Sequence, residues 1–298
     1  MPRVHVSGSV SYDTLLAVDA DFRNTMKGNE CSLSVGYHCK SRHETFGGNA
    51  ANIAFHLVRL GVDARPICAV GFDFEKYGDW MAKNKINQDL LHVNDSEPTA
   101  HVYVLTDAVD NQILTLHLGA MKYSKDIVVP RDTVDIAVVG PDDRDALLNR
   151  IDGFMRAASP IMFDPGQSTT SLSTSDLQFA IDSSRWLIAN EFEMSLITRQ
   201  LGTKPEEIAL SLDALIVTCG SEGSRVYANG CIEHVPAVPV ENPKDPTGCG
   251  DSFRAGLISG LLRGVDVVQS ATLGASTASE TLAHVGAQWE QANDTDSS

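Results

Sequence analysis

The sequence predicts an α/β protein: a mostly parallel sheet with helices on both faces and a small accessory β-sheet. Three observations predict it. Short, almost wholly apolar strands such as "DIAVVG", "PIMFDPG", "WLIAN" and "ALIVTCG" alternate with helical stretches through the second half. The β-hairpin-like pieces gather in the first 120 residues, where an inserted lid sheet would account for them. The length of 298 residues suits one large α/β domain or two small ones.

Taken in order, "RVHVSGSV" begins as a strand and ends at glycine and serine, and "YDTLLAV" reads as a second, partly exposed strand. Segment 31–46 is polar with strand-like patches. "NAANIAFHLVRLG" has helical spacing at Ala51, Ile53, Ala54, Leu57, Val58 and Leu60, closed by Gly61. "ARPICAVG" is a strand, and residues 74–87 form an amphipathic helix. "AHVYVLTDAVDNQILTLHL" gives two strands around a turn. In the second half, helices are expected over 142–158, 175–183 and from "EFEMSLITRQLG". A hairpin "SRVYANGCIEHV" follows, then helices over 249–263 and 266–285. The tail "QANDTDSS" is expected to fray.

Composition narrows the function. With 39 acidic and 23 basic residues the net charge is −16, which argues against nucleic acid or an anionic membrane as partner. Six scattered cysteines form no C-x-x-C pair, so zinc-ribbon and thioredoxin-like readings find no support. The opening residues lack the basic and apolar regions of a signal peptide, so a cytoplasmic protein with reduced thiols is expected.

The chemistry-bearing stretch is "DPTGCGDSF", Asp245 to Phe253, running into the helical "RAGLISGLLRG". A helix N-terminus offers unpaired N–H groups and partial positive charge, and glycine lets the backbone approach an anion. A carboxylate beside a bound phosphate serves chemistry better than binding: it can take the proton of an attacking hydroxyl. A helix with an acid in its first turn, favoured by the macrodipole, is the structural alternative. No G-x-x-x-x-G-K-[ST] occurs, and no G-x-G-x-x-G follows the first strand, which disfavours Walker-type and dinucleotide-binding readings.

"DPTGCGDSFRAGL" resembles the C-terminal signature of the PfkB, or ribokinase-like, kinases of small molecules. "FGGNAANIAFHLVRLGV" resembles their N-terminal glycine signature, "NEFE" their N-x-x-E motif and "VTCGSEG" their nucleotide loop. Together with "GSVSYDTLL", "DNQILTLHLGAM" and "FDPGQ", these phrases are most similar to the archaeal and proteobacterial nucleoside and adenosine kinases. The resemblance spans nearly the whole chain. It implies one ribokinase-like domain over 1–298, with a lid from segments roughly 11–18, 31–46 and 98–120.

The resemblance implies ATP-dependent, in-line phosphorylation of the 5′-hydroxyl of a nucleoside, adenosine first, with a ribose- or fructose-type sugar kinase as the alternative. Asp251 corresponds to the general base, and Gly248, Cys249 and Gly250 to the anion hole, in which Cys249 lends only its backbone. Asp13, Gly48, Asn49 and Asn52 correspond to acceptor-binding positions, while Gln112, His117 and Gln167 lie in regions that face the acceptor in the nucleoside-kinase branch. Asn49 stands where many ribokinases carry lysine. Asn190 and Glu193 correspond to residues around Mg²⁺ and the phosphates; their spacing is also that of a capping box. Thr218, Gly220 and Gly223 would lie along ATP, and Ala275 and Ser276 beside its adenine. Asp245 and Thr247 match positions that hold K⁺ in some relatives. Phe46 and Phe163 offer base stacking or core packing. Pairing of lid sheets offers a route to a homodimer.

Overall fold

The computed structural model describes residues 1–23, 35–109 and 111–289. Residues 31–34 of the expected lid and the C-terminal tail lie outside the described residues. The main sheet uses β1 (Arg3–Ser7), β4 (Asp63–Gly71), β5 (Leu91–Asn94), β8 (Ile136–Val139), β9 (Ile161–Phe163), β10 (Trp186–Asn190), β11 (Ala214–Thr218), β12 (Ser224–Ala228) and β13 (Cys231–Val235). Their order is β13-β12-β11-β10-β9-β8-β1-β4-β5. All pairs are parallel except β11–β12 and β12–β13, the hairpin expected from "SRVYANGCIEHV".

A second sheet, in the order β3-β2-β6-β7, comprises β2 (Ser11–Val18), β3 (Cys39–Gly47), β6 (Ala100–Thr106) and β7 (Gln112–His117). Its β2–β6 pair is parallel and its outer pairs antiparallel. Two strands differ from the sequence reading. β3 is continuous where only patches were expected, because its outer stretch is wet on both faces and shows no alternation. β5 was not expected at all: four residues, none fully buried, give too short a signal.

Eight α-helices lie wholly within the described residues. They are α1 (Asn49–Arg59), α2 (Glu75–Lys83), α3 (Arg144–Arg156), α4 (Thr174–Asp182), α5 (Glu191–Leu201), the single turn α6 (Pro205–Ile208), α7 (Cys249–Leu262) and α8 (Val267–Leu282). Residues from α1, α2, α7 and α8 pack against Val4, Val6, Val138, Ile188 and Ile216 on one face of the main sheet. Residues from α3, α4 and α5 pack against Ala137, Phe163, Ala189 and Val217 on the other. Both faces are therefore dry, and the strands read as apolar runs for that reason. No helix among the described residues is long and apolar enough to cross a membrane.

Helix ends follow local chemistry. Ser173 and Asp176 form a capping box at α4, and Asp143 caps α3 by accepting from the Asp145 amide. α8 stops at Leu282, three residues short of the expected end. The chain beyond is drawn back onto the molecule: Gly286 N donates to Asp245 Oδ2 (2.9 Å), and the His56 ring bonds Ala287 O at 3.0 Å.

Candidate active site

The strand ends set the site. Phe163, Ala189 and Val217 point to the α3–α5 face. By alternation the next residues, Asp164, Asn190 and Thr218, turn to the opposite face, the one that carries α7. Asn190 and Thr218 sit side by side in register. Three consecutive parallel strands thus present polar groups at their C-terminal ends, the edge where open α/β sheets bind ligands.

α7 brings the acid. Its N-cap Gly248 has φ 79°, and a Cβ there would stand 2.3 Å from Ala287 Cβ, so glycine is required on two counts. Cys249 N donates to Pro246 O at 3.2 Å, whereas the amides of Gly248, Gly250 and Asp251 meet no acceptor among the described residues. Of the amides expected in the hole, that of Cys249 is therefore engaged within the chain, while those of Gly248 and Gly250 are open, with that of Asp251 open beside them. The Cys249 thiol, pushed up to about 11 chiefly by burial and then by Asp245, is no nucleophile.

The Asp251 carboxylate accepts from Asn52 Nδ2 at 2.8 Å. Burial pushes its pKa up to about 6; Arg254 and the Asn52 hydrogen bond pull the other way, and Asp164 and Asp13 add to the rise. Arg254, one turn further along α7, donates to Asp164 Oδ1 at 2.6 Å and to Gly250 O at 2.9 Å, and its Nε lies against Asp164 Oδ2. This pair is almost fully buried, and sequence reasoning missed it. Ninety residues separate its partners; only the arginine's place, three residues after the acid, was there to be seen.

Asp13, on β2, has its pKa raised to about 6 by burial, opposed by Ser11 Oγ, which donates to Oδ1 at 2.9 Å. A Cβ on Gly47 would stand 2.1 Å from Asp13 Oδ2, so glycine there makes room for the carboxylate. Asp13, Asn52 and Asp251 therefore come together from β2, α1 and α7.

Other expected residues divide. Gly48, φ 91°, caps α1, and any Cβ would meet Ser9 O at 2.5 Å. Asn49 is corrected. Its Oδ1 accepts from Ser9 N (2.8 Å) and Ser9 Oγ (3.0 Å), so it clasps the β1–β2 loop, and its Nδ2 is buried with no partner among the described residues. Ser9 also takes the amides of Asn49 and Ala50, so the mouth of α1 is closed. His117 takes the other face of its sheet from Asp13. It pairs with His101, which pairs with Tyr12, whereas Asp13 shares its face with Val102 and Leu116. Gln112 lies on Asp13's face but at the far end of the sheet, opposite Thr106. Gln167 is exposed in the turn after β9. Phe163 is core, and Phe46 packs on Tyr77 and Trp80 at centroid distances of 4.5 and 5.3 Å.

Asn190 and Glu193 form the capping box of α5, with both bonds at 2.8 Å. Burial raises the Glu193 pKa, and Asp164 and Arg254 both act on it, which ties this helix start to the buried pair. Gly220 (φ 57°) and Gly223 (φ 92°) shape an exposed turn after Thr218; a Cβ on Gly223 would stand 2.1 Å from Val235 O. On α8 Ala275 is packed in the core, while Ser276 is exposed. The Asp245 oxygens accept the amides of Thr247 and Gly286, both at 2.9 Å, so the chain itself holds this turn closed. No group of three or more metal-ligating side chains occurs among the described residues.

Comparison with known proteins supplies the family. A nucleoside kinase of Methanothermobacter thermautotrophicus is 34% identical over 257 residues, 84% of this chain and 82% of that protein. One from Methanocaldococcus jannaschii is 31% identical over 250 residues, covering 83% and 82%. The structure of Burkholderia thailandensis nucleoside kinase in complex with inosine superposes with a TM-score of 0.87 at 30% identity, over 96% of this chain and 92% of that one. Residues 7–293 match the pfkB family carbohydrate kinases. With its sheet order, its glycine-capped α7 and the acid in that helix's first turn, the chain belongs to the pfkB family of carbohydrate kinases, enzymes that transfer a phosphoryl group from ATP.

Proposed function

We propose that this kinase phosphorylates the 5′-hydroxyl of a nucleoside, with Asp251 as general base. One observation carries the reading: a carboxylate fixed by Asn52 stands on the same helical turn as amides that meet no acceptor among the described residues. In that arrangement Asp251 removes the proton of the attacking alcohol while the amides of Gly248, Gly250 and Asp251 hold the migrating phosphoryl group. Asp13 holds the acceptor's hydroxyls. The sheet of β2, β3, β6 and β7 serves as the lid that excludes water from the transfer. Thr218, Gly220 and Gly223 border the nucleotide.

The magnesium that accompanies ATP draws on few protein atoms and neutralises charge on the phosphates. Glu193 fits that part, since among the described residues only its Oε2 is engaged, by Asn190 N. A structural relative was solved with ADP and inosine, which supports a nucleoside as acceptor.

Two experiments test the reading. Asp251→Asn should lower kcat by about 10²–10⁴-fold while nucleotide binding persists; near-normal turnover in that variant sinks the base assignment. A panel of adenosine, inosine, guanosine, cytidine, ribose and fructose with MgATP tests the acceptor. Nucleosides should be preferred, with adenosine first, and a clear preference for free sugars overturns the substrate assignment.

A further inference from the structure

The described chain ends in a segment that reaches back to the site. Gln288, buried, makes three hydrogen bonds: Oε1 accepts from Trp80 Nε1 (2.9 Å), and Nε2 donates to Asn52 Oδ1 (2.9 Å) and to Tyr77 Oη (2.6 Å). An indole N–H can only donate, so it must face an oxygen. Tyr77 spends its single proton on Gly47 O (2.7 Å), so it can only accept from Gln288. Both neighbours therefore force one orientation on the Gln288 amide. That orientation turns Asn52 Oδ1 toward Gln288 and Nδ2 toward Asp251 Oδ2, 2.8 Å away.

We propose that Gln288 is a positioning residue for phosphoryl transfer: held by Trp80 and Tyr77, it fixes the polarity of the Asn52 amide so that Asn52 always donates to Asp251. The inference rests on Asp251 acting as the base. Without Gln288, Asn52 can turn over whenever Asp251 holds a proton, and its Oδ1 then accepts that proton in a hydrogen bond. Gln288 denies this flip and so disfavours the protonated acid, the form that cannot act as a base. The charged groups acting on Asp251 are Arg254 from its own helix, Asp164 after β9 and Asp13 from β2, with the Cys249 thiol beside it; Asn52 and Gln288 are neutral. Replacing Gln288 by a neutral residue leaves all of those charges in place.

The experiment compares the full-length protein with Gln288→Met and Trp80→Phe. The Asp251 carboxyl is followed by ¹³C NMR, its resonance identified by its loss in Asp251→Asn, and kcat/KM is followed against pH. In Gln288→Met the Asp251 titration should move up by about one pH unit, and in Trp80→Phe by less, since Tyr77 still orients the glutamine. In an Asn52→Leu background, Gln288→Met should add no further shift. An unmoved titration in both single variants, or an equal shift in the Asn52→Leu background, overturns the inference. If the titration moves while the acid limb of kcat/KM stays put, Gln288 keeps its positioning role and the general-base reading of Asp251 fails. Should Gln288→Met not fold, Trp80→Phe alone decides.

Discussion

Arg254→Leu would test the buried pair beneath the site. Arg254 is 10% exposed at its side chain and Asp164 only 3%, so removing the guanidinium strands a carboxylate with almost no water to receive it. Breaking one side of such a pair typically costs about 3–5 kcal/mol, and in a chain of this size that lowers Tm by roughly 5–8 °C. A second effect is chemical. Arg254 is the strongest influence holding the Asp251 pKa down against burial, so its loss raises that pKa above about 6 and moves the acid limb of kcat/KM to higher pH. The double variant Arg254→Leu/Asp164→Leu separates the two. Two apolar residues leave no stranded charge, so most of the stability should return, yet the displaced pH profile should remain. Urea and thermal unfolding read the first effect, and steady-state rates from pH 5 to 9 read the second. A single variant that loses under about 1 kcal/mol refutes the reasoning, as does a double variant no more stable than the single.

Three further outcomes follow from the same geometry. Folded wild type holds the Asp251 proton to about pH 6, whereas the unfolded chain releases it near 3.8. The native state therefore binds more protons across that window, and this acid's contribution to stability falls as pH rises through it, by up to about 3 kcal/mol. Asp251→Asn should accordingly gain stability relative to wild type between pH 4 and 7 by denaturant titration; a constant difference contradicts the raised pKa. Gly47→Ala places a methyl 2.1 Å from Asp13 Oδ2, so the carboxylate must move, and KM for the acceptor should rise at least tenfold, about 1.4 kcal/mol, with little change in KM for ATP. Iodoacetamide should label exposed Cys39 and Cys231 first; Cys68, buried with its thiol pushed up to about 12, should resist until unfolding, as mass spectrometry would show.

The parts of the molecule legible in the sequence were those whose signal is local. The alternation of apolar strands with helices in the second half carries the main sheet, and the glycines flanking Cys249 carry the turn into α7. What escaped was set by distance along the chain or by register. Asn49 stands in a signature segment, yet its partner is Ser9, forty residues earlier. His117 lies one residue from the Asp13 face, and only the pairing of β6 with β7 decides which face it takes. Arg254 and Gln288 act on residues 90 and 236 positions away, and nothing near either one announces that. The capping box at Asn190 and Glu193 was readable as such, and it is present.

The separation of Asn52 from both Asp251 and Gln288 has a bearing on how the protein is made. Asn52 leaves the ribosome early, and its two hydrogen-bond partners emerge near the end, 199 and 236 residues later. At about 5–20 residues per second the chain spends some ten seconds or more half-built. Throughout that time β2, β6 and α1 exist without the helix that carries Asp251. If Asp251 is the base proposed above, an incomplete chain lacks it and transfers no phosphoryl group until α7 has docked.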